Sequence, residues 1–128
     1  MSQSIRGSKV LVVEDEVLIF MMLEDMLSDL GATVAGHATG VAEGVSLVER
    51  GGFDVAILDL NLNGTKVFPV AEALQTRGLP FLFTSGYGSA ALDGRFADQT
   101  CIDKPYQVAD ISRALSKALS EKVDSPES

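Results

Sequence analysis

The sequence has very little of what disulfide-bonded, zinc-binding or membrane-spanning proteins need. It contains one cysteine, one histidine and no tryptophan, which excludes an internal disulfide and a cysteine-rich zinc site and fits a reducing compartment. The longest apolar run, residues 17–23, is far shorter than the ~20 residues that span a bilayer. The N-terminal residues are mostly polar and do not resemble a secretory signal peptide. We therefore expect a cytoplasmic protein without a membrane segment.

Positive charge is also scarce. Ten lysines and arginines stand against eighteen acids, which gives a formal net charge of −8. This charge argues against electrostatic binding to nucleic acid or to an anionic membrane, and it suits a site that gathers a cation. The length of 128 residues fits one domain. We expect a loose N-terminal segment at 1–8, a folded domain at 9–122 and a polar tail at 123–128.

Five short apolar stretches alternate with helical patterns. The predicted strands cover residues 9–13, 33–38, 55–59, 79–85 and 100–103. The main helices are predicted at 15–30, at 39–50, up to residue 77 and at 108–122, with only a short helix between residues 89 and 99. Strands that alternate with helices predict an α/β fold, in which a doubly wound parallel sheet carries helices on both faces.

Polar side chains follow four of the five predicted strands. Glu14 and Asp15 follow the first strand, Asp59 ends the third, Ser85 ends the fourth and Lys104 follows the fifth. Each of them alone is unremarkable, since a single strand-end aspartate more often caps the next turn. All the carboxyl ends of a parallel sheet meet at one edge, however, where open α/β sheets bind ligands. We therefore expect these side chains to converge.

The residue types predict phosphoryl chemistry. Clustered carboxylates favour a raised pKa or a bound divalent cation, and oxygen ligands without histidine or cysteine select a hard ion such as Mg²⁺ or Mn²⁺. A carboxylate beside such an ion can act as a nucleophile and form an aspartyl phosphate. Lys104 and Ser85 would then contact two of the phosphoryl oxygens.

These residues resemble the receiver domain of two-component response regulators over residues 9–122. The resemblance implies a flavodoxin-like, five-stranded parallel sheet with the order 2-1-3-4-5. It implies that Asp59 is the phosphoacceptor and Asp15 a direct Mg²⁺ ligand. Glu14 would act largely through water, and the backbone carbonyl of Asn61 would be a further ligand. Ser85 and Lys104 match the conserved hydroxyl and lysine, and the family pattern implies a cis bond before Pro105.

The sequence departs from the family pattern in three ways. Asn63 replaces the usual proline after the phosphoacceptor, Cys101 replaces the aromatic switch residue, and the segment from Ser85 to Lys104 is short. With the stretch at 80–88, these departures resemble the subgroup named for its Phe-Ala-Thr-Gly-x-Tyr motif. That resemblance implies that Tyr87 reports the phosphoryl group, and it suggests a histidine kinase partner of the HWE type.

The leading hypothesis is a single-domain receiver that is not itself an enzyme in the usual sense. It would signal through a downstream protein or a phosphotransferase, without direct contact to nucleic acid or membrane. A Mg²⁺-dependent phosphohydrolase is a weaker alternative, because Asn61 breaks the expected Asp-x-Asp pair and 128 residues leave no room for a cap domain. A pseudo-receiver that acts by binding alone stays open, because Glu14 and Cys101 are atypical. Three acids after the first strand exclude a flavin phosphate loop.

Two further features are less specific. Val17, Phe20 and Met21 fall off the apolar stripe of the first helix, which either forms a partner-binding surface or packs under a neighbouring loop. His37 has no second ligand residue at metal-binding spacing, so we interpret it as an ordinary side chain without a metal-ligating or catalytic role.

Overall fold

The computed structural model describes residues 5–86, 92 and 94–123, with the side chains of residues 95 and 121–123 excepted. Seven strands and four helices are found in this part of the chain. The strands are β1 (Lys9–Val13), β2 (Thr33–Ala38), β3 (Val55–Asp59), β4 (Asn61–Leu62), β5 (Thr65–Lys66), β6 (Phe81–Ser85) and β7 (Cys101–Asp103). The helices are α1 (Val17–Asp29), α2 (Val41–Arg50), α3 (Phe68–Thr76) and α4 (Val108–Val123).

Five parallel strands form one sheet in the order β2-β1-β3-β6-β7. Numbered along the chain without the short β4 and β5, this is the order 2-1-3-4-5, so the predicted flavodoxin-like fold is confirmed. The three central strands are almost continuously apolar because both of their faces are covered. Every residue of β3 is buried, including the terminal Asp59.

The sheet separates two apolar layers. One lies between the sheet and α2 and α3, and contains the aromatic side chains Phe81, Phe83 and Phe96. The other lies between the sheet and α1 and α4, and consists mainly of aliphatic side chains. Alternate residues of β1 contribute to each layer, as the two-residue period of a strand requires. The two layers fix the sheet, and with it the edge where the polar residues lie.

The helices differ from the sequence prediction mainly at their ends. α1 begins at Val17 rather than at Asp15, which leaves the acids of residues 14–16 in the connecting loop. Gly40, not Thr39, is the N-cap of α2, and the backbone N–H of Thr39 instead donates to the Glu43 side chain at 3.1 Å. Pro69 lies in the first turn of α3, where it costs no intrahelical hydrogen bond.

A small β-hairpin between β3 and α3 was not predicted. β4 and β5 pair in antiparallel fashion, with Asn61 opposite Lys66 and Leu62 opposite Thr65. Asn63 and Gly64 form the turn, and both have positive φ angles, of 53° and 87°. An Asn-Gly pair is the preferred sequence for such a two-residue turn. Between β6 and β7, the described residues contain one short 3₁₀ helix, Gly94–Phe96, in line with the weak helix expected there.

Several predictions concern regions that the structure describes only in part. Within the predicted loose segment 1–8, the backbone N–H of Gly7 donates to the carbonyl of Gly31 at 2.7 Å. The predicted domain boundaries stay predictions. The Lys104–Pro105 peptide bond is cis, as the family pattern implied. Among the described helices, none combines the length and the apolar character that crossing a membrane requires.

Candidate functional site

The carboxyl ends of β1, β3, β6 and β7 bring the predicted polar residues to one pocket of about 420 Å³. Carboxylate oxygens of Glu14, Asp15 and Asp59 lie within 4.8 Å of one another. Asp15, Asp59, Asn61, Ser85 and Lys104 all line the pocket. The site is therefore assembled from residues ninety positions apart, because parallel strands direct their ends to the same edge.

Lys104 links two of the three acids. Its Nζ lies 3.1 Å from Oε1 of Glu14 and 3.1 Å from Oδ2 of Asp59. The lysine is mostly buried, and both carboxylates are almost completely buried. Burial alone would lower the pKa of Lys104, but the charges of Asp59 and Glu14 raise this pKa above its ordinary value. Lys104 therefore stays protonated and neutralises part of the negative charge of the pocket.

Several neighbouring groups shift the pKa of the Glu14 carboxyl in opposite directions. Burial away from water raises the pKa of its carboxyl to about 7, and the neighbouring Asp59 charge adds to the rise. Two groups lower this pKa. One is the N–H of Glu16, which donates to Oε2 of Glu14 at 3.1 Å, and the other is the ammonium of Lys104. Because desolvation dominates, Glu14 changes its protonation near neutral pH in the metal-free protein.

The hairpin controls the backbone of Asn61. The N–H of Val67 donates to the carbonyl of Leu60 at 3.0 Å, so residues 60 and 67 form a hydrogen-bonded pair across the hairpin. Hydrogen-bonded and non-hydrogen-bonded pairs alternate in an antiparallel ladder, which makes Asn61 and Lys66 a non-hydrogen-bonded pair. The backbone groups of Asn61 thus point away from β5.

Two hydrogen bonds then fix Asn61. Its N–H donates to Oδ1 of Asp59 at 3.3 Å, and its side-chain oxygen accepts from the N–H of Gly64 at 2.8 Å. The side chain is consequently occupied within the hairpin. It is the backbone carbonyl, not the amide side chain, that the hairpin leaves available at the pocket wall.

The fourth and fifth strands of the sheet are joined at the pocket. Ser85 is buried at the end of β6, and its carbonyl accepts a hydrogen bond from the N–H of Lys104 at 2.8 Å. The backbones of Lys104 and Ser85 are therefore directly coupled at the pocket. Tyr87, the predicted reporter of the phosphoryl group, lies outside the described residues.

The predicted partner-contact residues occupy two environments. Val17 and Met21 are 62% and 54% exposed, and Leu18 and Met22, which the sequence did not single out as surface residues, are exposed beside them. Phe20 instead packs against the core and stacks on the ring of His37. The exposed apolar surface of α1 is thus broader than predicted, and Phe20 contributes little to it because its side chain is largely buried.

Tyr106 is a residue near the site that the sequence did not indicate. It is buried, and among the described residues its hydroxyl has no hydrogen-bond partner. Burial raises the pKa of this phenol, and the charges of Glu14 and Asp59 raise it further. Its position two residues after Lys104 was the only sequence signal that could have pointed to it.

The donor set fits a hard divalent cation. Its side-chain ligand atoms are all carboxylate oxygens, and an available backbone carbonyl completes the kind of oxygen ligation that Mg²⁺ prefers. The fold and the site together define an α/β domain of the flavodoxin-like class, with an acidic pocket suited to a divalent cation beside a buried lysine. This class contains several families, which comparison with known proteins separates.

Residues 10–116 match the response regulator receiver domain, and the chain belongs to this family. The solution structure of SdrG from Sphingomonas melonis Fr1 is similar, with 44% identity, a TM-score of 0.78, and coverage of 91% of this chain and 98% of that one. The PhyR receiver domain of Erythrobacter litoralis gives 28% identity and a TM-score of 0.81, with coverage of 96% and 97%.

Longer relatives are also similar. The phyllosphere-induced regulator PhyR of Methylorubrum extorquens is 32% identical over 117 residues, which are 88% of this chain and 44% of PhyR. The chain spans about half the length of the curated relatives that it matches. Receiver domains signal through phosphorylation of an aspartate, and membership of this family implies a kinase partner. The chain is not a conventional enzyme.

Proposed function

We propose that Asp59 is the phosphoacceptor, and that it takes the phosphoryl group from a histidine kinase while a Mg²⁺ ion occupies the acidic pocket. The observation that carries this proposal is the position of Asp59. It is the buried end of the central strand, with Glu14 and Asp15 within 4.8 Å and Lys104 at 3.1 Å. Asp15, Asp59 and the carbonyl of Asn61 would hold the ion, with Glu14 acting largely through water.

The residues of the pocket prepare Asp59 as a nucleophile. The Asn61 N–H and the Lys104 ammonium contact different oxygens of its carboxylate, which fixes the plane of the group. One of these oxygens attacks phosphorus while the P–N bond of the phosphohistidine breaks, and the electron pair stays on the imidazole. A bound Mg²⁺ would neutralise negative charge on the carboxylates and the phosphoryl oxygens, which is most of what such a transfer requires.

The output would begin at Lys104 and Ser85. Phosphorylation adds about −1.5 to −2 charges next to Lys104, which then moves from Glu14 toward the phosphoryl group. Because the Lys104 N–H is bonded to the Ser85 carbonyl, both strand ends respond together. The Ser85 hydroxyl donates to a second phosphoryl oxygen, and Tyr87 acts as the mobile aromatic in place of Cys101. The altered surface around β7 and the segment before it changes the affinity for a downstream protein or a phosphotransferase.

The partner assignment rests on similarity and on the surface of α1. A solution structure of SdrG in its BeF₃-activated conformation is similar to this chain. It has 43% sequence identity and a TM-score of 0.77, and it covers 89% of this chain and 98% of SdrG. The resemblance to the Phe-Ala-Thr-Gly-x-Tyr subgroup supports a kinase of the HWE type. We assign the contact with the kinase or a phosphotransferase to the exposed Val17 and Met21 with the neighbouring Phe20.

Intact-mass spectrometry tests the proposal. Wild-type protein and Asp59→Asn are incubated with phosphoramidate, with and without Mg²⁺. We expect one acid-stable, base-labile phosphate adduct on the wild type, which requires Mg²⁺ and is absent from the variant. An adduct of the same lability on Asp59→Asn would assign the acceptor to another residue. No adduct on a folded wild type would favour the pseudo-receiver, which acts by binding alone.

A further inference from the structure

A β-bulge directs the single histidine of the sequence toward α1 and the loop that follows β1. The register between β1 and β2 passes from Val10 opposite Val34 to Leu11 opposite Gly36, so β2 contains one extra residue. Beyond this point His37 pairs with Val12, which belongs to the layer beneath α1 and α4. Without the bulge, His37 would lie opposite Val13 and face the other layer, because a shift of one residue reverses the face of every side chain.

His37 contacts both the loop after β1 and the first turns of α1. Its Nε2 lies 2.9 Å from the backbone carbonyl of Glu14. A carbonyl can only accept a hydrogen bond, so Nε2 carries the hydrogen and donates it. The imidazole stacks on the ring of Phe20, with the two centroids 3.7 Å apart and the planes 3° from parallel. The stack fixes the direction in which Nε2 points.

The Glu14 carbonyl needs this donor because β2 ends too early to supply one. The N–H of Glu14 donates to the carbonyl of Ala38 at 3.0 Å, which continues the β1–β2 ladder. Ala38 is the last residue of β2, and the chain turns into α2 at Val41. A buried carbonyl without a donor costs about 1–3 kcal/mol. The His37 side chain takes the place of the next backbone donor in the ladder.

We propose that His37 is a positioning residue for the cation site. The Glu14 carbonyl belongs to the planar peptide that joins Glu14 to Asp15. Holding its oxygen therefore fixes the orientation of that plane, and with it the direction in which the Asp15 side chain leaves the backbone. His37 acts through the backbone and binds neither the ion nor the phosphoryl group. The inference rests on the proposed role of Asp15 as a Mg²⁺ ligand.

If His37 had only a packing role, different properties of its side chain would matter. Packing between Phe20 and the end of β2 requires a flat ring, which phenylalanine provides equally well. Positioning requires an N–H donor at the distance of Nε2 from the backbone. Glutamine places an amide nitrogen at about that distance, while the asparagine amide is one methylene shorter and falls short of the carbonyl. The two roles are therefore separable by substitution.

The test compares His37→Phe, His37→Asn and His37→Gln. Mg²⁺ dissociation constants are measured by isothermal titration calorimetry, and stability is measured by urea denaturation in EDTA. Loss of a hydrogen bond that orients a metal ligand typically weakens metal binding 10- to 100-fold. We expect a rise of about tenfold in the Mg²⁺ dissociation constant for His37→Phe and His37→Asn, and a value near wild type for His37→Gln. Because Asn and Gln both lack the ring, their difference isolates the donor.

The pattern of affinities decides between the two roles. Equal Mg²⁺ affinity in the wild type and the Asn variant would overturn the proposal, as would an equal loss in the Asn and Gln variants. If His37→Phe does not fold, the Asn and Gln pair still gives the comparison. A wild type that binds no Mg²⁺ would instead contradict the proposed function itself, so the two failures are distinguishable.

Discussion

The two sides of the pocket are built by different means. On the acid–lysine side, formed by Glu14, Asp59 and Lys104, buried charges hold one another through contacts of 3.1 Å. On the hairpin side, formed by residues 61–66, backbone pairing and an Asn-Gly turn set the geometry. The first side depends on protonation and on the presence of a cation. The second depends on the φ angles of its turn, which neither protonation nor salt alters.

Removal of the lysine should have the largest effect on the acid–lysine side. In Lys104→Met, Glu14 and Asp59 face each other without a cation, and the loss of stability in EDTA approaches the ~3–5 kcal/mol typical of a broken buried pair. Mg²⁺ should restore most of this stability, and the variant should bind Mg²⁺ at least as tightly as the wild type, since a competing positive charge is gone. Urea denaturation with and without Mg²⁺ measures both quantities.

Lys117→Met is the matched control, because Lys117 lies on the exposed face of α4. It should change neither the stability nor its dependence on Mg²⁺. If Lys104→Met were as stable as this control in EDTA, the acid–lysine side would not be held by charge as we describe.

The protonation of Glu14 should determine how the stability of the metal-free protein depends on pH near neutrality. Burial raises the pKa of Glu14 from 4.5 to about 7. Between pH 4.5 and pH 7, therefore, Glu14 is protonated in the folded protein and ionised in the unfolded chain. The free energy of unfolding of the metal-free protein should therefore fall as the pH rises from about 5 to 7, by on the order of 2 kcal/mol, and Glu14 should contribute no further change above that range.

Glu14→Gln removes the titrating group but keeps the shape of the side chain. Urea denaturation in EDTA across the same pH range should show a smaller fall for this variant than for the wild type. Identical pH profiles would mean that another group causes the change.

The smallest of the three effects should come from the hairpin side. Gly64 has a φ of 87°, and no atom lies within 4 Å of a Cβ placed there. Gly64→Ala should therefore lose about 1–2 kcal/mol from backbone strain alone. Because the strain distorts the turn that directs the Asn61 carbonyl, we also expect a Mg²⁺ dissociation constant several-fold higher than in the wild type.

Gly78→Ala is the control for strain. Gly78 has a φ of 68° and similarly open surroundings, but it follows α3 at the opposite edge of the sheet. The two variants should lose similar stability, and only Gly64→Ala should bind Mg²⁺ more weakly. If both variants kept wild-type affinity, the hairpin would not position a ligand.

The sequence predicted the sheet because its apolar stretches and helical stripes are long enough to show their periods. It also predicted which residues would meet, since the carboxyl ends of parallel strands share one edge. The hairpin was missed because strands of two residues have no visible period, although Asn63-Gly64 was a usable turn signal. The role of His37 depends on a register shift of one residue in β2, which no local pattern reveals.

Glu14 and Lys104 are separated by ninety positions in the sequence, and this separation has a consequence for biosynthesis. The ribosome synthesises Glu14, Asp15 and Asp59 well before it synthesises Lys104. Until the edge strand β7 has docked on β6, the carboxylates lack the cation that the folded chain provides. A chain that ends before β7 therefore has the carboxylates of the pocket but not the lysine that compensates their charge.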